Sequence, residues 1–105
     1  MFQIDLGEGG TVKLAGRLDA AQVPRAQEFL AGIAEPCSLD LEDLDYISSA
    51  GLGVLLRLHK RLVGGGGRLK LVNVNPHIKD ILAYSGFDKL FEIEPTHSHS
   101  QEPAR

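Results

Sequence analysis

Two adjacent serines, Ser48 and Ser49, form the part of the chain best suited to chemistry. They lie in residues 45–53, where a strand pattern ends, a short polar turn follows and helical periodicity begins. The first turn of a helix offers unpaired N–H donors and the positive end of the helix dipole, which together stabilise an anion. The junction is therefore suited to hold a phosphate group.

The same junction has a purely structural interpretation. Serine is a favoured residue at a helix N-cap, so one of the two serines could simply cap the helix. Capping needs only one serine, however, and does not require Gly51 and Gly53, each of which costs about 1 kcal/mol of helix propensity. Without side chains, these glycines would leave a flat, approachable turn. The residues alone leave both interpretations open.

The elements that position this junction follow from apolar periodicity. Alternation predicts strands at residues 2–6, 11–15, 38–42 and 69–71 and a short last strand at 91–93. A 3.6-residue period predicts helices at residues 20–34, 50–63 and 76–85. Because the strands alternate, one face of the sheet should be covered and the other wet. We expect a two-layer α/β fold, with a mixed sheet of four to five strands and helices mainly on one face.

Composition limits the chain to one ordinary globular domain. It has 105 residues, of which 43% are hydrophobic and 24% charged. We expect the domain at residues 1–95 and a disordered tail at 96–105, where no apolar residue is larger than alanine. The net charge of −3, without a basic stripe, argues against nucleic acid as a partner. No apolar run approaches the roughly 18 residues of a membrane span, and the N-terminus lacks a secretion signal.

Cysteine and histidine give no metal or redox site. Cys37 is the single cysteine, so an internal disulfide is impossible and a reducing, cytoplasmic location is expected. Beside a strand, it is a small core residue rather than a reactive thiol. His59 falls within the apolar face of the second helix and is interpreted as a core histidine. His97 and His99 in the tail form only a weak metal site, so no metal or cofactor is expected.

The second helix is expected to present two faces. Its broad apolar face is formed by Leu52, Leu55, Leu56, Leu58, Leu62 and Val63. Arg57, Lys60 and Arg61 point the other way. Val54 falls outside the apolar face, so an exposed valine beside the serines is predicted to contact a partner.

Four segments resemble the STAS domain, the family of sulphate transporter tails and anti-sigma factor antagonists. Residues 45–56, DYISSAGLGVLL, resemble its phosphorylation loop, and residues 12–19, VKLAGRLD, resemble its second strand and Gly-x-Leu-Asp turn. Residues 73–76, NVNP, and 85–91, SGFDKLF, resemble later elements. They occur in the family's order and span roughly residues 2–94. The resemblance implies the STAS fold.

The resemblance also implies a function without catalysis. The family's phosphoacceptor corresponds to Ser49. Many members carry an aspartate immediately before the acceptor, where this chain has Ser48; this departure leaves the preference of the kinase open and makes Ser48 the weaker alternative acceptor. The unphosphorylated form would bind an anti-sigma factor that is also a serine kinase, and so release a sigma factor. Phosphorylation would end binding and a PP2C-type phosphatase would restore it. The implied partner-binding residues are Asp19, Ser48, Ser49, Ala50, Gly51, Gly53, Val54 and Arg57.

Other functions remain as alternatives. STAS domains also serve as non-switching scaffolds and as soluble subunits of lipid transporters. A serine hydrolase is more remote, because the Gly-x-Ser-x-Gly elbow is missing and His77 is the one histidine placed to act as a base. The sequence does not identify the sigma factor, the kinase, the stress or the oligomeric state.

Overall fold

In a computed structural model, which describes residues 1–33 and 38–95, five strands form one sheet in sequence order. The strands are β1 (Phe2–Leu6), β2 (Thr11–Leu18), β3 (Ser38–Ile47), β4 (Lys70–Val74) and β5 (Glu92–Pro95). The helices are α1 (Val23–Ala31), α2 (Ser49–Gly64) and α3 (Pro76–Ser85). The predicted mixed sheet and two-layer α/β fold are confirmed. Cys37, His97, His99 and the predicted tail lie outside the described residues.

The sheet begins with an antiparallel hairpin and continues in parallel. β1 pairs antiparallel with β2, whereas β2, β3, β4 and β5 pair parallel with one another. Gly16 pairs with Phe2 at the end of the hairpin opposite the turn and has a φ of +89°, where a β-carbon would overlap the Met1 carbonyl. The Arg17 N–H donates to that same carbonyl oxygen at 2.7 Å. Only glycine fits this close approach.

β2 and β3 are both longer than the sequence predicts, so both strands reach the start of α2. Alternation ends β2 near residue 15, yet the strand continues so that Arg17 pairs with Tyr46 and Leu18 with Ile47. The Arg17 guanidinium carbon lies 4.4 Å from the centre of the Tyr46 ring, a cation–π contact between the strands. The C-terminal ends of β2 and β3 therefore lie side by side.

The core lies between the sheet and the helices. Leucines buried completely on β2, β3 and β4 pack against Leu55 of α2 and Leu82 of α3 in one continuous cluster. Of the predicted apolar face of α2, Leu52, Leu55, Leu58 and Leu62 are buried. Leu56 is half-buried, and Val63 is 51% exposed because it lies in the last turn, beyond the sheet-facing arc.

Asn75 ties the start of α3 to the middle of β3. Its Oδ1 accepts from the Ile78 N–H at 3.0 Å and caps the helix. Its Nδ2 lies 3.1, 3.2 and 3.0 Å from the carbonyl oxygens of Leu41, Glu42 and Leu44. β3 pairs with β4 only through residues 38–40 of the described chain. The Asn75 amide thus donates to carbonyl oxygens in the part of β3 that lies beyond its pairing with β4.

Two exposed ion pairs link neighbouring strands. Lys13 of β2 lies 3.3 Å from Asp43 of β3, and Lys70 of β4 lies 2.6 Å from Glu94 of β5. Hydrogen bonding to these carboxylates raises the pKa of both lysines above 10.5. Exposed pairs contribute little to stability, so they mainly favour the register. Among the described residues, no helix combines the length and hydropathy needed to cross a bilayer.

Candidate functional site

Ser48 is the N-cap of α2. Its backbone is extended, with φ −88° and ψ 174°, and its Oγ accepts a hydrogen bond from the Gly51 N–H at 3.2 Å. The same hydroxyl lies 3.4 Å from the Leu18 carbonyl oxygen, to which it donates. The Ser48 N–H donates to that oxygen as well, at 3.0 Å. Ser48 therefore joins the start of α2 to the end of β2, and its hydroxyl is committed to structure.

Ser49 is the first residue of α2 and is exposed. Its hydroxyl has no hydrogen-bond partner among residues 1–33 and 38–95. The two serines, whose roles the residue pattern alone left open, thus differ: one caps the helix and the other presents its oxygen to solvent. A phosphate on that oxygen would lie beside the N-terminal amides of the helix, where negative charge is stabilised.

Gly51 does not have the role that its sequence context suggested. It is buried, and a β-carbon there would stand 2.7 Å from the Leu18 carbonyl oxygen and 2.8 Å from Ile47 Cγ1. The expectation of an approachable surface at Gly51 is therefore wrong, because the missing side chain lets α2 pack directly on the strand ends. Gly53 is different: a β-carbon there would meet only the Arg57 guanidinium, at 3.5 Å.

Asp19 lies at the same edge of the sheet as the serines. It directly follows Leu18, whose carbonyl binds Ser48, and it is half-buried. Its Oδ1 is buried without a hydrogen-bond partner in the described part of the chain. The side chain does not cap the short 3-10 turn Ala20–Gln22 that follows it. The structure thus brings a carboxylate with spare acceptor capacity to the junction.

Val54 corrects the predicted partner surface. Its side chain is 3% exposed and lies in the groove between α1 and α2, beside Leu30 and Leu58. The prediction of an exposed valine is wrong because α2 is covered on two sides, by the sheet and by α1. Val54 belongs to the second of these contacts and has no free surface to offer a partner.

Arg57 and Arg61 border this groove, which has a volume of about 190 Å³. Arg61 Nη2 donates to the carbonyls of Leu30 and Ile33, each at 2.8 Å, so it satisfies the C-terminal end of α1. With its amide oxygen turned toward Arg57, Gln27 of α1 accepts from Nε at 2.8 Å and Nη2 at 2.6 Å. Nothing in the sequence singled out Gln27, because this contact depends on how the two helices pack.

His59 lies away from the junction. It is half-buried, and its ring meets Phe91 edge to face with centres 5.3 Å apart. Its Nδ1 is buried without a hydrogen-bond partner among the described residues. No group of three or more His, Cys, Asp or Glu side chains in residues 1–33 and 38–95 is arranged to hold a metal ion.

A five-stranded mixed sheet under three helices, with an exposed serine opening the second helix, defines the class of protein. The chain belongs to the STAS domain family, whose family model matches residues 5–100. The predicted resemblance is confirmed.

Relatives of known name agree with this assignment. The chain is 36% identical over 90 residues to a STAS-domain containing protein of Pseudomonas aeruginosa, covering 83% of this chain and 89% of that protein. It is 31% identical over 85 residues to the anti-sigma-B factor antagonist of Bacillus subtilis, covering 78% of each. The Bacillus cell fate determinant SpoIIAA in its phosphorylated form matches with a TM-score of 0.64 at 23% identity, covering 89% of this chain and 90% of that one. This last likeness concerns the fold.

Proposed function

We propose that this chain is an anti-sigma factor antagonist whose binding to its partner is ended by phosphorylation of Ser49. The observation that carries the proposal is the division between the two serines. Ser48 is bound to Gly51 and Leu18, whereas the Ser49 hydroxyl is exposed at the tip of α2. The relative in Bacillus subtilis is an anti-sigma-B factor antagonist, and SpoIIAA has been described in a phosphorylated form.

The proposed contact surface consists of exposed or half-buried residues around the start of α2. They are Asp19, Ser49, Ala50, Gly53 and Arg57. Ser48 supports this surface as the helix cap. Gly51 and Val54 are buried and act by packing, so they are not part of it.

Electrostatics supplies the switch. Phosphorylation adds about −1.5 to −2 charges at pH 7 to a hydroxyl that is neutral before modification. A partner surface that fits the free hydroxyl would have to desolvate this charge on binding, which favours release. The proposed partner is an anti-sigma factor with serine kinase activity, which binds ATP, transfers its terminal phosphoryl group to Ser49 and releases ADP. A PP2C-type phosphatase hydrolyses the phosphate ester and restores the binding form. All of these steps are assigned to the cytoplasm.

A serine hydrolase is the alternative of another class. It would need a base within hydrogen-bond reach of its nucleophile. Among the described residues no histidine hydrogen-bonds to Ser48 or Ser49. We therefore assign Ser49 the role of a phosphate acceptor. The scaffold and transporter alternatives share the fold and differ in needing no phosphate acceptor.

The test is a reconstitution with the anti-sigma factor that copurifies with this chain from its host. Purified partner and ATP should phosphorylate the wild-type chain at Ser49 by mass spectrometry, and should leave Ser49→Ala unmodified. By titration calorimetry, Ser49→Ala should bind as the unmodified wild type does, and Ser49→Asp at least tenfold more weakly. Ser85→Ala, at an exposed serine ending α3, is the matched control. Phosphate on the Ser49→Ala variant, or equal binding by Ser49→Asp, would contradict the proposal.

A further inference from the structure

Ser49, Gly53 and Arg57 form one stripe along α2. They are spaced by four residues, and residues at this spacing are neighbours on a helix surface. Ser49 and Arg57 are exposed, and Gly53 between them has no side chain. The stripe therefore contains a gap one helical turn long between a hydroxyl and a guanidinium.

The Arg57 guanidinium already lies in this gap. A β-carbon on Gly53 would stand 3.5 Å from Nη1 and 3.8 Å from Nη2 of Arg57. Long side chains on a helix lean toward its N-terminus, which is here the direction of Ser49. β-carbons four residues apart on a helix are separated by about 5–6 Å. A phosphate attached to Ser49 Oγ extends into this space from the other side.

We propose that Arg57 binds the phosphate of phosphorylated Ser49 within the same chain, an inference that rests on the proposed modification of Ser49. Guanidinium and phosphate form short, charge-assisted hydrogen bonds with two donors in a planar fork. The side-chain gap at Gly53 is what permits the approach. Any larger residue there would stand between the two groups.

Forming this pair would change the contact between α1 and α2. Arg57 now donates to the Gln27 amide oxygen, a neutral acceptor. A phosphate carrying nearly two negative charges is a stronger acceptor, so the guanidinium exchanges Gln27 for the phosphate. Phosphorylation would then act twice: it adds charge at the tip of α2, and it withdraws a cation from the groove beside Val54 and Leu58.

The pair can be tested without any kinase or partner. Phosphoserine is incorporated at position 49 during translation, and its second ionisation is followed by ³¹P NMR against pH. A free phosphoserine titrates near pH 6. Arg57 should hold the phosphate pKa about half a unit lower in the wild type than in Arg57→Gln. The α2 amides lower the pKa and the Asp19 carboxylate raises it, but both act equally in the two proteins.

Two further variants separate the pair from general charge effects. Lys60→Gln removes one exposed positive charge from the same helix and should leave the phosphate pKa at the wild-type value. Gly53→Leu fills the gap and should raise the pKa as Arg57→Gln does. Because Arg57→Gln also breaks the contact to Gln27, circular dichroism must show that it folds. If Arg57→Gln does not fold, the test uses two other measurements. One is the phosphate pKa of Gly53→Leu, and the other is the Arg57 Nε–H resonance of the wild type with and without phosphate on Ser49.

Equal titration of the phosphate in wild type, Arg57→Gln and Gly53→Leu would overturn the intramolecular pair. An Arg57 Nε–H resonance unmoved by the phosphate would do so as well. Either result would leave the Ser49 switch untouched, because the switch is tested by partner binding. Failure of the partner to phosphorylate Ser49 would instead count against the proposed function, while the titration of incorporated phosphoserine would still report on Arg57.

Discussion

A β-carbon on Gly51 would stand 2.7 Å from the carbonyl oxygen of Leu18, so the first turn of α2 rests directly on the backbone at the end of β2. The same carbonyl accepts from the Ser48 N–H at 3.0 Å. Helix and strand are therefore joined by close backbone contact, and the Ser48 hydroxyl adds a second link to the same carbonyl. This contact fixes where Ser49 stands relative to Asp19, the residue that follows Leu18.

Replacing Gly51 should test this contact directly. Gly51→Ala should destabilise the domain by about 1–3 kcal/mol, because neither the Leu18 carbonyl nor Ile47 can move away cheaply. Gly53→Ala is the matched control on the same helix. Its new methyl group meets only a flexible guanidinium, so it should be neutral or stabilise by up to about 1 kcal/mol. Urea unfolding measures both, and a Gly51→Ala protein as stable as wild type would show that the helix is free to shift.

The division between the serines predicts opposite effects on stability. Ser48→Ala should cost about 1 kcal/mol, since the Gly51 N–H loses its cap. Ser48→Asp should keep most of the stability because a carboxylate caps as well and suits the helix dipole. Ser49→Ala should change the free energy of unfolding by less than about 0.5 kcal/mol. If thermal or urea unfolding shows equal losses for Ser48→Ala and Ser49→Ala, the two hydroxyls do not have the separate roles assigned here.

Val54→Asp should unfold the domain rather than only remove partner binding. Burying a carboxylate between α1 and α2 costs more than about 3 kcal/mol, a large part of the stability of a small domain. Arg57 and Arg61 border the groove but already bind Gln27 and the carbonyls of Leu30 and Ile33, so they would have to give up those contacts to pair with it. Lys60→Asp, at an exposed position of the same helix, should remain folded. Circular dichroism and thermal unfolding distinguish them. A folded Val54→Asp protein would mean that the groove opens readily to solvent.

Asn75 allows its two contacts to be separated. Asn75→Ser keeps an oxygen to cap α3 but loses the amide that reaches three carbonyls of β3, and should cost about 1–3 kcal/mol. Asn75→Ala loses the cap as well and should cost about 1 kcal/mol more. Hydrogen exchange should show the Ser variant weakened mainly in the second half of β3. If Asn75→Ser and Asn75→Ala lose the same free energy of unfolding, the cap does not contribute to stability.

Local patterns were enough to predict the architecture. Alternation identified β1 and β3, helical periodicity located α2, and Pro76 marked the start of α3, because each signal lies within a few neighbouring residues. The resemblance to STAS domains then predicted Ser49 as the phosphate acceptor within this junction, and that role stays a prediction. Such signals do not depend on which elements meet in space.

The features that the sequence did not predict depend on contacts between elements that are distant along the chain. Val54 looked exposed because periodicity identifies the side of a helix that faces the sheet but not a second helix packed beside it. Gly51 looked like an open turn because its close approach to Leu18 exists only once β2 and α2 are in place. The link from Gln27 to Arg57 joins polar residues on different helices, which no local pattern reports.

The position of Ser49 within the first helical turn has a consequence for any enzyme that modifies it. The Leu52 N–H donates to the Ser48 carbonyl at 2.8 Å, so the backbone around the Ser49 hydroxyl is helical rather than extended. A kinase that reads straight peptides would first have to unwind this tip. A kinase that modified Ser49 without unwinding this turn would have to recognise the shape of the intact domain, and a short synthetic copy of the segment would then be a poor substrate. Phosphate would then be added to Ser49 only in molecules that are already folded.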